Sequence, residues 1–128
     1  MIYIETSVVL AQLLAEDRYP PESLWTETLV SSRLTEFEVW NRIHARGLGS
    51  SHGESVRLLL GRVRWLEMTA LVLARALEAW PLPLRTLDAL HLASIEFLGA
   101  HRQDVKLASY DTRIIGAARR LGIPPYTL

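Results

Sequence analysis

The chain has 128 residues, of which 49% are hydrophobic and 22% charged, a balance typical of one globular domain. It contains no cysteine, which excludes disulfides, thiol nucleophiles and thiolate metal sites. Its 14 basic residues match its 14 acidic residues, so the net charge does not favour nucleic acid or an anionic membrane. No apolar stretch approaches the roughly 20 residues that span a bilayer, and Glu5 stands where a signal peptide begins its apolar run. We therefore expect a single cytoplasmic domain over residues 1–128, with no membrane association.

The first half of the chain predicts two short strands and four helices. Pro20 and Pro21 break the chain after the first helix, and Ser32 or Thr35 can cap the helix that ends before Gly47. The predicted strands are 1–4 and 29–31, and the predicted helices are 8–14, 22–28, about 33–46 and 50–63.

The second half continues the alternation. Thr69 is a candidate N-cap for a helix that ends before Pro81, and Thr86 and Asp111 are candidate caps for the two later helices. The predicted strands are 65–68, 105–110 and, at an edge, 126–128, and the predicted helices are 70–80, 87–99 and 112–122.

Strands that alternate with helices predict a three-layer α/β/α domain with a mostly parallel central sheet. In such sheets ligands gather at the carboxyl ends of the strands. Glu5 follows the first strand, Asp111 follows the strand predicted at 105–110, and Asp88 lies in the first turn of a helix. Taken singly, Asp88 and Asp111 are also explained as caps of helix N-termini.

Glu38 is different because it lies inside a predicted helix. At 100° per residue it shares one side of that helix with four other residues, Leu34, Phe37, Asn41 and Ala45. A carboxylate on such a stripe would be partly desolvated. The alternative is an ordinary ion pair with Arg42, four residues further on.

The four acids make most sense as one group. If Glu5, Glu38, Asp88 and Asp111 converge, their mutual repulsion requires a cation between them. Oxygen-only ligands favour Mg²⁺ or Mn²⁺ over Zn²⁺. Such ions at acidic sites commonly activate water for phosphodiester hydrolysis, so this pattern predicts a nuclease.

A local basic patch is a second feature. The chain has a single lysine, Lys106, and Glu54 is the one acid in a stretch that holds five arginines, Arg42, Arg46, Arg57, Arg62 and Arg64. The planar guanidinium suits phosphate, although a solvated helix surface explains the same pattern.

Four segments of the sequence carry a family resemblance. Residues 1–7 (MIYIETS), 32–39 (SRLTEFEV), 87–93 (LDALHLA) and 109–113 (SYDTR) resemble, in order, the four acidic motifs of PIN-domain proteins. The resemblance spans essentially the whole chain and is strongest to the VapC-type toxins of toxin-antitoxin pairs.

This resemblance implies an endoribonuclease that depends on Mg²⁺ or Mn²⁺, acts on structured RNA such as tRNA or rRNA, and is neutralised by a cognate VapB-like antitoxin. Glu38, Asp88 and Asp111 match the second, third and fourth catalytic acids, and Glu5 stands at the position of the first. Glu5, Asp88 and Asp111 would hold the metal, and Glu38 would orient a water. Thr6 and Thr112 would orient ligands or merely cap helices, and Arg42 and Arg46 would contact RNA.

Glu5 departs from the family pattern, which has Asp at this position. The longer side chain moves the carboxylate, and a displacement of about 1 Å in a catalytic group can cost about 100-fold in rate. The alternative function is therefore a PIN scaffold that binds RNA or antitoxin without efficient cleavage.

The sequence leaves two interpretations open for each of His91 and Trp40. His91 lies on the same helical side as Asp88 and can approach the acids, but in the resembling motif it occupies a structural position. Trp40 is either an anchor for a homodimer or an antitoxin segment, or is covered by a neighbouring helix.

Overall fold

A computed structural model of the chain, which describes residues 1–101 and 103–128, contains one four-stranded sheet. The strands are β1 (Ile2–Ile4), β2 (Leu29–Ser32), β3 (Val63–Leu66) and β4 (Lys106–Ala108). Their order is β3-β2-β1-β4 and every pairing is parallel. The helices are α1 (Thr6–Leu14), α2 (Arg33–Ala45), α3 (Gly49–Leu60), α4 (Ala70–Ala76), α5 (Thr86–Ala100) and α6 (Thr112–Arg120), with a short 3-10 helix at Glu22–Thr26.

Helices cover both faces of the sheet. Successive side chains of a strand point to opposite faces, so Ile2 and Ile4 pack into one buried cluster while Tyr3 packs into another. The first cluster takes residues from α1, α2 and α3, and the second takes residues from α5 and α6. This arrangement confirms the three-layer α/β/α prediction.

The predicted boundaries of three middle elements are wrong. The helix predicted over 50–63 ends at Leu60, and β3 begins at Val63, not at Trp65, because Val63 pairs with Leu29 of β2. The helix predicted to reach 80 ends at Ala76. The chain then turns back, so that the indole N–H of Trp80 donates to the Ala76 carbonyl at 3.4 Å.

The predictions for the later elements need three corrections. Thr86 is the first residue of α5 and not its cap, and β4 spans only Lys106–Ala108. The edge strand predicted at 126–128 is replaced by an isolated parallel bridge between Leu107 and Pro125. Pro124 and Pro125 have no N–H to donate, which prevents a continuous ladder at this edge. Within the described residues, no helix is long and apolar enough to cross a membrane.

Candidate metal-dependent active site

Glu5 lies where β1 ends at the carboxyl edge of the sheet. Its backbone N–H donates to the Ala108 carbonyl of β4 at 3.0 Å, which places it beside the end of the neighbouring strand. Its side chain caps α1: Oε2 accepts from the Ser7 N–H at 3.0 Å, from the Ser7 hydroxyl, and from the Ser109 hydroxyl at 3.0 Å. Only 9% of Glu5 is exposed, so Ser7 and Ser109 hold its carboxylate firmly.

Glu38 projects from α2 toward α1 and α5. Its Oε1 accepts from the Thr6 hydroxyl at 2.7 Å and lies 2.6 Å from His91 Nε2. Burial alone would raise the pKa of Glu38, but the contacts with His91 and Thr6 outweigh burial and hold that pKa below its ordinary value. Glu38 is therefore an ionised carboxylate at neutral pH.

The surroundings of Glu38 differ from the predicted stripe. Leu34 is buried, but Phe37 is 64% exposed and Asn41 and Ala45 are exposed as well, so the stripe mainly faces solvent. The buried face of α2 consists of Leu34, Thr35, Val39 and Ile43. Among the described residues Glu38 pairs with His91 and not with Arg42, so the ion-pair alternative is wrong.

Asp88 lies in the first turn of α5 and is partly buried. Its Oδ2 atom is buried and, within the part of the chain that the structure describes, has no hydrogen-bond partner. Burial raises the pKa of Asp88, and the negative charge of Asp111 raises it further, against the opposing effects of His91, Arg85 and Arg113. Nearby positive charges therefore offset the effect of burial only in part, and among the described residues Oδ2 receives no donor.

Asp111 follows β4 and caps α6, since its Oδ1 accepts from the Arg113 N–H at 2.9 Å. Its own N–H donates to the Ser109 hydroxyl at 2.9 Å, and the same hydroxyl donates to Glu5. Ser109 therefore links the ends of β1 and β4. The capping alternative for Asp111 holds in the structure, but the same residue also acts electrostatically on Asp88.

The residues fit a hard cation at the Asp88 end of the site. Over residues 1–101 and 103–128, no three His, Asp or Glu side chains lie close enough together to form a complete ligand cage. Mg²⁺ does not need one, because it usually keeps several waters and binds through one or two carboxylates together with substrate phosphates. The partnerless Oδ2 of Asp88 and the nearby charge of Asp111 match that requirement.

The remaining predicted site residues divide into near and far groups. Thr6 contacts Glu38 directly, whereas Thr112 is exposed at the first residue of α6. Arg42 and Arg46 are exposed on α2 and at its C-cap. Arg46 lies eight residues beyond Glu38, or about 12 Å along the helix axis.

Trp40 packs between α2 and α3. It is partly buried against the first core cluster, stacks on His44 and lies under the guanidinium of Arg57, 5.9 Å from the ring centre. Its indole is therefore covered by neighbouring groups of the same chain.

Residues that hold the acids were mostly missed by the sequence analysis. His91 is fully buried between Tyr3 and Glu38 and was interpreted mainly as a structural residue. Its place three residues after Asp88, on the same side of α5, was the available signal. Ser7 and Ser109 carried no signal beyond their closeness to Glu5 and Asp111.

Comparisons with known proteins match this architecture. The model of the PIN domain family matches residues 2–120. The ribonuclease VapC35 of Mycobacterium tuberculosis is 31% identical over 129 residues, covering 96% of this chain and 93% of that protein. The ribonucleases VapC47 and VapC46 of the same species are 30% and 31% identical, each covering 95% of this chain and 93% of their own length.

One solved structure has the same overall fold. A toxin-antitoxin complex from Klebsiella pneumoniae contains a chain that superimposes with a TM-score of 0.64 at 18% sequence identity, and the match covers 100% of both chains. At that identity the likeness concerns the fold. The family model and the relatives together show that this chain belongs to the PIN-domain family as a VapC-type member.

Proposed function

We propose that this protein is a metal-dependent endoribonuclease of the VapC type. It cleaves phosphodiester bonds of structured RNA, such as tRNA or rRNA, and is neutralised by a cognate VapB-like antitoxin. The observation that carries the proposal is the buried, partnerless Oδ2 of Asp88 close to the charge of Asp111 at the carboxyl edge of a parallel sheet. The relatives named ribonuclease support the same chemistry.

Asp88 and Asp111 would hold Mg²⁺ or Mn²⁺ in this proposal. When bound, such an ion lowers the pKa of water and offsets the negative charge that develops on phosphate. Glu5 would add its Oε1 atom, because all three contacts from Ser7 and Ser109 use Oε2.

Glu38 would orient the attacking water. Its Oε1 is occupied by Thr6 and His91, so Oε2 is the oxygen that would accept a hydrogen bond from water. A carboxylate whose pKa is held low is a weak base, which suits orientation better than full proton removal. The positioning of water next to phosphate is worth several kcal/mol only when the angle of approach is fixed.

The test is a metal-dependent cleavage assay on purified cellular RNA. We expect new RNA ends with Mg²⁺ or Mn²⁺ and none with EDTA. Glu38→Gln should lower kcat by about 100-fold, because the amide places a donor where the water must donate. The matched control is Glu36→Gln on the same helix, since Glu36 pairs with Arg33 at the surface and not with the site.

Retained cleavage in Glu38→Gln, or an equal loss in Glu36→Gln, would contradict this role for Glu38. Cleavage that persists in EDTA would contradict the metal dependence. Mapping the new ends would identify the substrate and the cleavage position in the same experiment.

A second function is favoured by the way Glu5 is held. Its carboxylate is tied to Ser7 and Ser109, so it would be poorly placed to share a cation, and the chain would then bind RNA or antitoxin without efficient cleavage. Glu5→Asp tests this, because Asp is also a good N-cap and the fold should tolerate it. A gain in cleavage of about tenfold or more supports the weakened scaffold, whereas an equal or lower rate supports Glu5 as a competent ligand.

A further inference from the structure

His91 connects three elements of the fold through its two ring nitrogens. It lies on α5 with none of its surface exposed. Nδ1 is 2.7 Å from the hydroxyl of Tyr3 on β1, and Nε2 is 2.6 Å from Oε1 of Glu38 on α2. A buried imidazole is costly unless both nitrogens have partners, and here both do.

The hydrogen-bond partners of Tyr3 favour one tautomer of His91. The Ser32 backbone N–H donates to the Tyr3 oxygen at 3.2 Å, so the Tyr3 hydroxyl is free to donate its own hydrogen to Nδ1. Nδ1 is then an acceptor, which leaves the proton on Nε2, pointing at Glu38.

We infer that Tyr3 and His91 form a buried hydrogen-bond relay that fixes the orientation of Glu38, which makes His91 a positioning residue for the site. The relay runs from the Ser32 N–H through Tyr3 and His91 to Oε1 of Glu38. The role of Glu38 in cleavage rests on the proposed function, whereas its orientation by His91 rests on the hydrogen bonds alone.

The relay and Thr6 together leave Glu38 with one usable oxygen. Both contacts end on Oε1, and the Glu38 side chain keeps 22% of its surface exposed. The carboxylate therefore cannot rotate without breaking two hydrogen bonds to a charged group. An apolar side chain at position 91 would fill the core equally well but would leave Oε1 without this donor.

A double-mutant kinetic experiment separates positioning from simple core packing. His91→Leu should lower kcat for RNA cleavage by about 10- to 100-fold with KM nearly unchanged. In the Glu38→Gln background the same change should cause little further loss, because His91 acts through Glu38. His91→Gln, which retains an N–H donor, should recover part of the rate.

Two further variants protect the experiment against a folding defect. Tyr3→Phe removes only the hydroxyl and should lower kcat in the same direction as His91→Leu, but by less. Ser94→Ala is the control, since Ser94 is fully buried on α5 and donates to the Leu90 carbonyl without touching Glu38. Equal losses for His91→Leu in both backgrounds, or a loss in Ser94→Ala as large as in Tyr3→Phe, would overturn the inference.

The tautomer of His91 gives a readout that does not depend on activity. In ¹⁵N NMR of the full chain we expect a protonated Nε2 and an unprotonated Nδ1, with a mixture of tautomers in Tyr3→Phe. Protonation of Nδ1 in the unmodified chain would overturn the relay even if RNA is cleaved. The expected tautomer in a chain that cleaves no RNA would support the relay and overturn the proposed function.

Discussion

Glu38 and Asp88 are two carboxylates of one candidate site, and the chain surrounds them in opposite ways. Glu38 receives hydrogen bonds from Thr6 and His91, and its pKa is lowered. Asp88 has a buried oxygen that finds no partner among residues 1–101 and 103–128, and its pKa is raised by burial and by Asp111. Within the described residues the protein supplies hydrogen-bond donors to Glu38 but none to Oδ2 of Asp88, which is where the proposed function places a cation.

The different surroundings of Glu38 and Asp88 suit different physical roles. A carboxylate held by internal donors keeps one geometry, which suits the alignment of a water molecule. A carboxylate left without donors costs stability in the free protein, and that cost is recovered when a cation binds.

The largest expected effect comes from removing the charge at the end that needs a cation. Asp88→Asn should lower metal-dependent cleavage by about 10³-fold, because the ion loses a ligand with its charge. In EDTA the variant should be at least as stable as the unmodified chain, since the repulsion between Asp88 and Asp111 is gone. Thermal unfolding in EDTA measures the stability of the free protein, and thermal unfolding with Mg²⁺ measures the stabilisation by the ion. Mg²⁺ should raise the Tm of the unmodified chain but not that of the variant.

The exposed Asp104→Asn is the control for this prediction, since it changes the same chemical group away from the site. A marked fall in the Tm of Asp88→Asn in EDTA would show that Asp88 is already satisfied within the protein. A Tm increase with Mg²⁺ that survives in Asp88→Asn would place the ion elsewhere.

A smaller effect is expected from the exposed arginines of α2. Replacement of Arg42 and Arg46 by Gln should weaken RNA binding several-fold and make the slope of log affinity against log salt shallower by about one for each lost phosphate contact. Binding titrations at several salt concentrations measure both quantities. Unchanged slopes would mean that these side chains form only a solvated surface, and Arg85 and Arg113, whose charges reach Asp88, would become the better candidates.

The smallest expected effect is the contribution of Glu38 to the pH dependence of the free energy of unfolding. The pKa of Glu38 in the folded protein is below its ordinary value of 4.5, so ionisation of Glu38 stabilises the fold above that pH. As the pH falls through the lower folded-state pKa, this contribution is lost. The free energies of unfolding of the unmodified chain and of Glu38→Gln, measured with urea in EDTA, should therefore differ near pH 7 and converge as the pH falls below 4.5 through the lower folded-state pKa.

The comparison between the two proteins removes the opposing contribution of Asp88, whose raised pKa favours the fold at low pH in both. A stability difference that persists unchanged at pH 3 would mean that the ionised form of Glu38 contributes nothing. The position of the Glu38 side chain would then depend on packing alone.

Much of the fold followed from local patterns in the sequence. Ser32, Thr69 and Asp111 cap the helices that they were predicted to cap, because side-chain capping depends on a few neighbouring atoms. The end of α3 and the start of β3 were misplaced because the register of Val63 against Leu29 is a long-range property.

The sequence predicted the acidic residues of the candidate site but not the residues that contact them. Glu38 was singled out for its place inside a helix, yet the stripe proposed around it faces solvent, because the neighbours of α2 determine which side is buried. The contacts of Glu38 with Thr6 and His91 join residues 32 and 53 positions apart in the chain. Periodicity carries no information on such pairs.

The most direct test of the cation requirement is titration of ¹⁵N-labelled protein with Mn²⁺, followed by backbone NMR. We expect a saturable broadening of the amide resonances around Asp88 and Asp111, and we expect this broadening to be lost in Asp88→Asn. Broadening centred on other acids, such as Asp17 or Glu22, or a pattern unchanged by Asp88→Asn, would contradict the claim that the sheet edge is a metal site.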